Sequence, residues 1–104
     1  MSPNRHDNPQ SLMQKAAEAR INQQWAEAES LYREMAQVLT ISGNNAELAV
    51  VLYHLAKTLE SQGKYFASFE TLSALDLLLV QLEEQNDRDY LEQLRQEQLD
   101  DDVA

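Results

Sequence analysis

The side chains in this sequence best suited to chemistry are two histidines, His6 and His54, and a crowd of carboxylates. Histidine ligation of a metal calls for a second donor about one helical turn away, and neither H-x-x-x-H nor H-x-x-E spacing accompanies His54. His6 lies in a polar lead-in, MSPNRHDNPQ, and His54 reads as an ordinary helix-surface residue. Paired carboxylates such as Glu83 and Glu84 act as general acid and base only where burial or a close like charge lifts one pKa, and a solvated face lifts neither. The two glycines, Gly43 and Gly63, stand twenty residues apart and cannot form a phosphate-cradling loop. With no cysteine there is no thiolate nucleophile, disulfide or sulfur-ligated metal. The expectation is a chain with no catalytic residue, no cofactor and no metal, and no enzymatic activity.

Charge narrows the partners. The formal net charge is −10, from 18 acids against 8 bases, which repels nucleic-acid phosphates and anionic lipid headgroups and suits a basic protein segment. Nine of those acids fall between Glu83 and Asp102, against Arg88 and Arg95 alone, leaving that end seven charges negative. This acidic end is either a dock for a basic segment or a solvated tail that keeps its neighbour soluble. The lead-in lacks the apolar run of a signal peptide, and no stretch reaches the roughly 18 uninterrupted apolar residues of a membrane span. A cytoplasmic protein without membrane contact is expected.

The elements that would position any site are helices. A chain of 104 residues forms one domain, and only two glycines and two prolines punctuate a sequence otherwise rich in Ala, Leu, Glu and Gln. The pattern predicts a flexible lead-in over 1–9, helices over 10–23, 25–41, 46–62 and 65–84, a shorter polar helix over 87–99, and an acidic tail over 100–104. Gly43 in SGNN and Gly63 in SQGKY mark turns.

These helices repeat. A shift of 40 residues carries Leu12 to Leu52, Ala16 to Ala56, Ala19 to Leu59, Gln23 to Gly63, Trp25 to Tyr65, Ala28 to Ser68, Tyr32 to Leu72 and Met35 to Leu75. The unit is helix, tight turn, helix, over about 10–43 and 46–84. In the second unit Leu52, Leu55, Ala56, Leu59, Gly63 and Tyr65, followed by Leu72 and Leu75, resemble a tetratricopeptide repeat. The first unit follows more loosely, with Lys15 at an apolar position, Gln23 for glycine and Trp25 for tyrosine, and Ser68 replaces the family's alanine in the second. The forty-residue period is similar to the longer variant found in kinesin light chains and signalling scaffolds. The resemblance spans residues 10–84. It implies an all-α, short solenoid of two stacked hairpins plus a C-terminal capping helix, and a role as adaptor or assembly chaperone that holds a peptide or helix of another protein.

Helical phasing then selects faces. On the first helix Met13, Ala17 and Arg20 point away from the stripe Leu12, Ala16 and Ala19. On the third, Val50, Tyr53 and Lys57 lie opposite Leu52, Leu55, Ala56 and Leu59. These six form the expected partner-binding groove, with Arg20 and Lys57 as a positive edge. On the fourth helix Tyr65, Ser68, Leu72, Leu75, Leu79 and Leu82 are assigned to packing on the third. Phe66, Phe69, Leu77 and Val80 form a second apolar stripe, to be capped by the last helix or else to serve as a homodimer or partner face.

Overall fold

The computed structural model describes the backbone of residues 9–103 and the side chains of residues 10–97. Four helices follow in order: α1 (Pro9–Ile21), α2 (Trp25–Ser42), α3 (Asn45–Ser61) and α4 (Tyr65–Val103). The chain is all-α, and no strand occurs among the described residues. The expected lead-in falls outside them except for Pro9, which opens α1, where its missing N–H costs nothing and its φ suits a helix.

Three turns join the helices, and all three close in the same way. One residue just past the helix takes a left-handed φ: 59° at Gln23, 74° at Gly43 and 76° at Gly63. The next amide reaches back five residues, Gln24 to the Ala19 carbonyl, Asn44 to Leu39 and Lys64 to Leu59, at 2.8, 3.0 and 2.9 Å. This satisfies carbonyls that the helix end would otherwise leave bare. Asn44 also caps α3, its side chain accepting from the Glu47 amide.

Each helix packs on its sequence neighbours, α1 on α2, α2 on α3 and α3 on α4. The main core joins Leu12, Ala16 and Ala19 of α1, Ala28, Tyr32, Met35 and Leu39 of α2, and Val51, Leu55 and Leu59 of α3. Where two helices of a hairpin cross, small residues let the backbones approach: Ser68 donates its hydroxyl 2.9 Å to the Ala56 carbonyl, and their equivalents forty residues earlier, Ala28 and Ala16, are both fully buried in the main core.

The fourth helix departs from expectation in two ways. First, the separate capping helix over 87–99 does not form, because α4 runs without a break from Tyr65 to Val103. The stretch EQND at 84–87 holds neither glycine nor proline, and Gln85 bonds Asp89 one turn on, so nothing stops the helix. At 1.5 Å per residue it is about 58 Å long, close to the 61 Å extent of the molecule. The radius of gyration, 18.4 Å, accordingly exceeds the ~13 Å of a compact chain this size. Second, the face of α4 turned to α3 is Ser68, Leu75 and Leu78, with Thr71 and Leu82 partly covered, while Tyr65, Leu72 and Leu79 are exposed. The expected and observed stripes share Ser68, Leu75 and Leu82 and the same 3.5-residue spacing; they differ in that Thr71 and Leu78 turn inward in place of Leu72 and Leu79, each one residue away.

Candidate functional site: a cleft between the first and third helices

Helices α1 and α3 flank a cleft of about 520 Å³ whose floor is α2. One wall carries Met13 and Ala17 of α1, the other Val50 and Val51 of α3, and Met35 and Leu39 form the floor. Gln10, Gln14 and Glu47 supply polar groups at its margin. An apolar interior with a few polar groups around it is what a small hydrophobic anchor needs. Local sequence explains the walls: Leu12, Ala16 and Ala19 turn into the core, leaving the next positions, Met13 and Ala17, facing the gap.

Three of the six expected groove residues, Met13, Ala17 and Val50, therefore line one cleft, and the other three do not. Arg20 is partly buried rather than standing as a solvated grip, and its Nε is sequestered from solvent close to Tyr32 and His54. Tyr53 is half exposed and meets His54 edge-on at 5.5 Å. Lys57 pairs with Glu60 at 3.3 Å, with both side chains half exposed.

His54 is not a plain surface residue. Its ring stacks on Tyr32 with centroids 5.7 Å apart and planes 17° from parallel. Burial lowers its pKa and the Arg20 charge lowers it further, so the imidazole is neutral near pH 7. Tyr32, wholly buried, has its pKa raised by the same desolvation. The sequence signal for this trio was faint, since Arg20 and Tyr32 lie on other helices than His54 and no short-range spacing links them.

A second cleft, about 1010 Å³, opens between α2 and α4 over Leu52 and Leu55 of α3. Arg33, Glu34, Gln37 and Glu70 line it, making a polar-walled trough rather than an apolar seat. Sequence reading missed it; the small residues Ala36, Ala67 and Ala74 along it were the available sign.

At one end of that trough sits the strongest electrostatic centre among the described residues. Glu29 of α2 accepts from Gln62 at 2.8 Å and Lys64 at 2.9 Å, both at the α3–α4 turn, and from Arg33 at 2.8 Å. Desolvation raises its pKa, but the bonds from Arg33, Lys64 and Gln62 outweigh that and hold it at about 2. This centre ties the first hairpin to the turn of the second. No group of three or more His, Asp or Glu side chains that could hold a metal occurs among the described residues. Compared with family models, curated proteins and solved structures, the chain has no match in any of the three.

Proposed function

We propose that this chain is a non-catalytic protein-interaction module, an adaptor or assembly chaperone that seats a short segment of another protein in the cleft between α1 and α3. The observation that carries the reading is the convergence of Met13, Ala17 and Val50 around an apolar floor of Met35 and Leu39. The resemblance of residues 10–84 to tetratricopeptide repeats supports it, since in that family first helices of successive hairpins line the groove. A forty-residue variant of that repeat, working in the cytoplasm, is the corresponding assignment. The net charge of −10 favours a segment that carries basic residues beside its apolar anchor.

Screening a displayed peptide library against the full chain tests this. Sequences that share an apolar anchor and bind at least about tenfold more weakly to Ala17→Arg, which fills the cleft, support the reading. Enriched peptides that bind Ala17→Arg and Val50→Glu as well as the unsubstituted chain overturn it.

A further inference from the structure

The outer face of α4 exposes Phe66, Phe69, Val80, Leu91 and Leu94, with Leu77 at its edge, where it also lines a cleft over Leu48 and Leu52 of α3; each is between 43 and 75% accessible. This is not the ordinary outer surface of a repeat. At the positions forty residues earlier, α2 carries Ala26, Glu29, Gln37 and Thr40 where α4 carries Phe66, Phe69, Leu77 and Val80. A large exposed apolar stripe of this kind marks an interaction surface.

The spacing along the stripe identifies what covers it. Phe66 and Phe69 precede Val80 by 14 and 11 residues, and Leu91 and Leu94 follow it by 11 and 14. Eleven residues are three helical turns and fourteen nearly four, so all five share one face. These five positions read the same outward in both directions from Val80, while Leu77 has Glu83 as its counterpart, and such symmetry meets the requirement of a two-fold interface, which must be complementary to itself. An unbroken helix makes the match usable, because a fold-back near residue 86 would separate the halves.

We infer that α4 is a self-association helix: two copies of this chain pair antiparallel along this face, with the two-fold axis at Val80, so that Phe66 meets Leu94 and Phe69 meets Leu91. Charge at the helix ends selects the same direction, against the cost near the axis of setting Asp76 opposite the partner's Glu84. Parallel pairing sets two C-terminal segments, each seven charges negative, side by side. Antiparallel pairing lays each against the partner's α4 N-terminus, where backbone amides and the half-exposed Lys64 are positive. The body of each copy lies on the opposite side of its α4, where Ser68, Leu75 and Leu78 meet α3, so the pair closes without collision.

A lipid surface is the competing occupant. Within Tyr65–Glu97, α4 is long and apolar enough by length and composition to cross a membrane. Asp76, Glu84 and Asp87 lie within the same outer stripe, however, and carboxylates there are costly in hydrocarbon but tolerable at a protein interface open to water.

Because the chain has no cysteine, single replacements report the geometry directly. Phe69→Cys and Leu91→Cys chains are mixed under a glutathione redox buffer, beside each alone. The mixed disulfide is expected to dominate, since in the antiparallel pair two copies of residue 69 stand about 33 Å apart, 22 residues at 1.5 Å each. Homodisulfides of Phe69→Cys at equal or greater yield overturn the inference by showing parallel pairing. Sedimentation equilibrium of the unsubstituted chain is expected to give a dimer, weakened about thirty-fold by Val80→Glu with helix content retained. A monomer throughout the micromolar range overturns it, as does flotation with anionic vesicles by a chain that does not dimerise. Ala17→Arg leaves the dimer intact, so failure of this inference and failure of the cleft reading are separate results.

Discussion

The two hairpins share a backbone plan and differ in what their second helices face. Helix α2 lies between α1 and α3 and buries Ala28, Tyr32, Met35 and Leu39. Helix α4 has α3 on one side and, among the described residues, no further helix on the other. Of its large apolar residues among those described, only Leu75 and Leu78 are buried. The same repeat position is accordingly put to opposite uses: Glu29 on α2 clamps the α3–α4 turn, whereas Phe69, its counterpart on α4, faces outward. The repeat fixes the turns and the crossings, while the outer face of each second helix is free to vary.

The largest expected effect lies in that difference of burial. Leu59→Ala removes a fully buried side chain from the main core and is expected to cost about 2–5 kcal/mol. Phe66→Ala, on the open face of α4, is expected to change the stability of the monomer by less than about 0.5 kcal/mol. Urea unfolding at a concentration low enough to keep the chain monomeric measures both. Comparable losses would mean that part of the same chain covers Phe66 in solution and would break the comparison.

Next in size is the Glu29 centre. Its folded pKa of about 2 lies below its ordinary 4.5. The unfolded chain therefore binds the proton more readily, and the stabilisation is complete above about pH 4.5 and lost as pH falls toward 2. Glu29→Gln is expected to cost ~1–2 kcal/mol at pH 7, reduced by solvent around the exposed Arg33 and Lys64 ends. The difference between Glu29→Gln and the unsubstituted chain should shrink through that window in thermal melts. A pH-independent difference would assign the loss to packing. Phe69→Glu, which places a carboxylate at the counterpart position, should produce no such pH-dependent gain, because among the described residues no Lys or Arg from another element stands beside it.

Third are the turns. Gln23 and Gly63 occupy equivalent left-handed positions, and a side chain at φ near 60–75° is strained while glycine is not. Gln23→Gly is expected to stabilise by ~0.5–1 kcal/mol and Gly63→Gln to destabilise by about the same amount. A Cβ at Gly63 meets nothing within 4 Å, so the second change tests the backbone alone. Same-sign effects in chemical denaturation would show that the two turns are not energetically alike.

These turns also show how far the sequence could be read. The helix pairs, the Gln23–Gly63 equivalence and the inward stripe Leu12–Ala16–Ala19 follow from local periodicity, which survives folding because it is set within one element. For the same reason Met13, Ala17 and Val50 are found lining one cleft. Arg20, Tyr53 and Lys57 lie outside it, and their surroundings depend on Tyr32, His54 and Glu60, about which a helical wheel carries no information. The polarity of residues 84–87 suggests a break, but the stretch lacks the glycine or proline that stops a helix, and α4 continues through it. Glu29 was invisible because its three partners include two more than thirty residues away.

The finest comparison is between the two crossings, Ala28 on Ala16 and Ser68 on Ala56. Both are closed by small side chains, but Ser68 adds a buried hydroxyl whose hydrogen bond to the Ala56 carbonyl spans α3 and α4. Removing both the hydroxyl and its need for a partner leaves a carbonyl already bonded within α3, so no new orphan is created. Ser68→Ala is therefore expected to cost no more than about 0.5–1 kcal/mol, offset in part by alanine's better helix propensity. The converse change, Ala28→Ser, places a hydroxyl in a fully buried crossing. It is neutral to within about 0.5 kcal/mol only if the serine can reach the Ala16 carbonyl as Ser68 reaches that of Ala56. Equal small shifts in the two urea midpoints would show that the crossings share one geometry to within a hydrogen bond. A loss of about 1–3 kcal/mol for Ala28→Ser alone would show that α1 and α2 cross more tightly than α3 and α4, and that the repeat is exact in its turns but not in its packing.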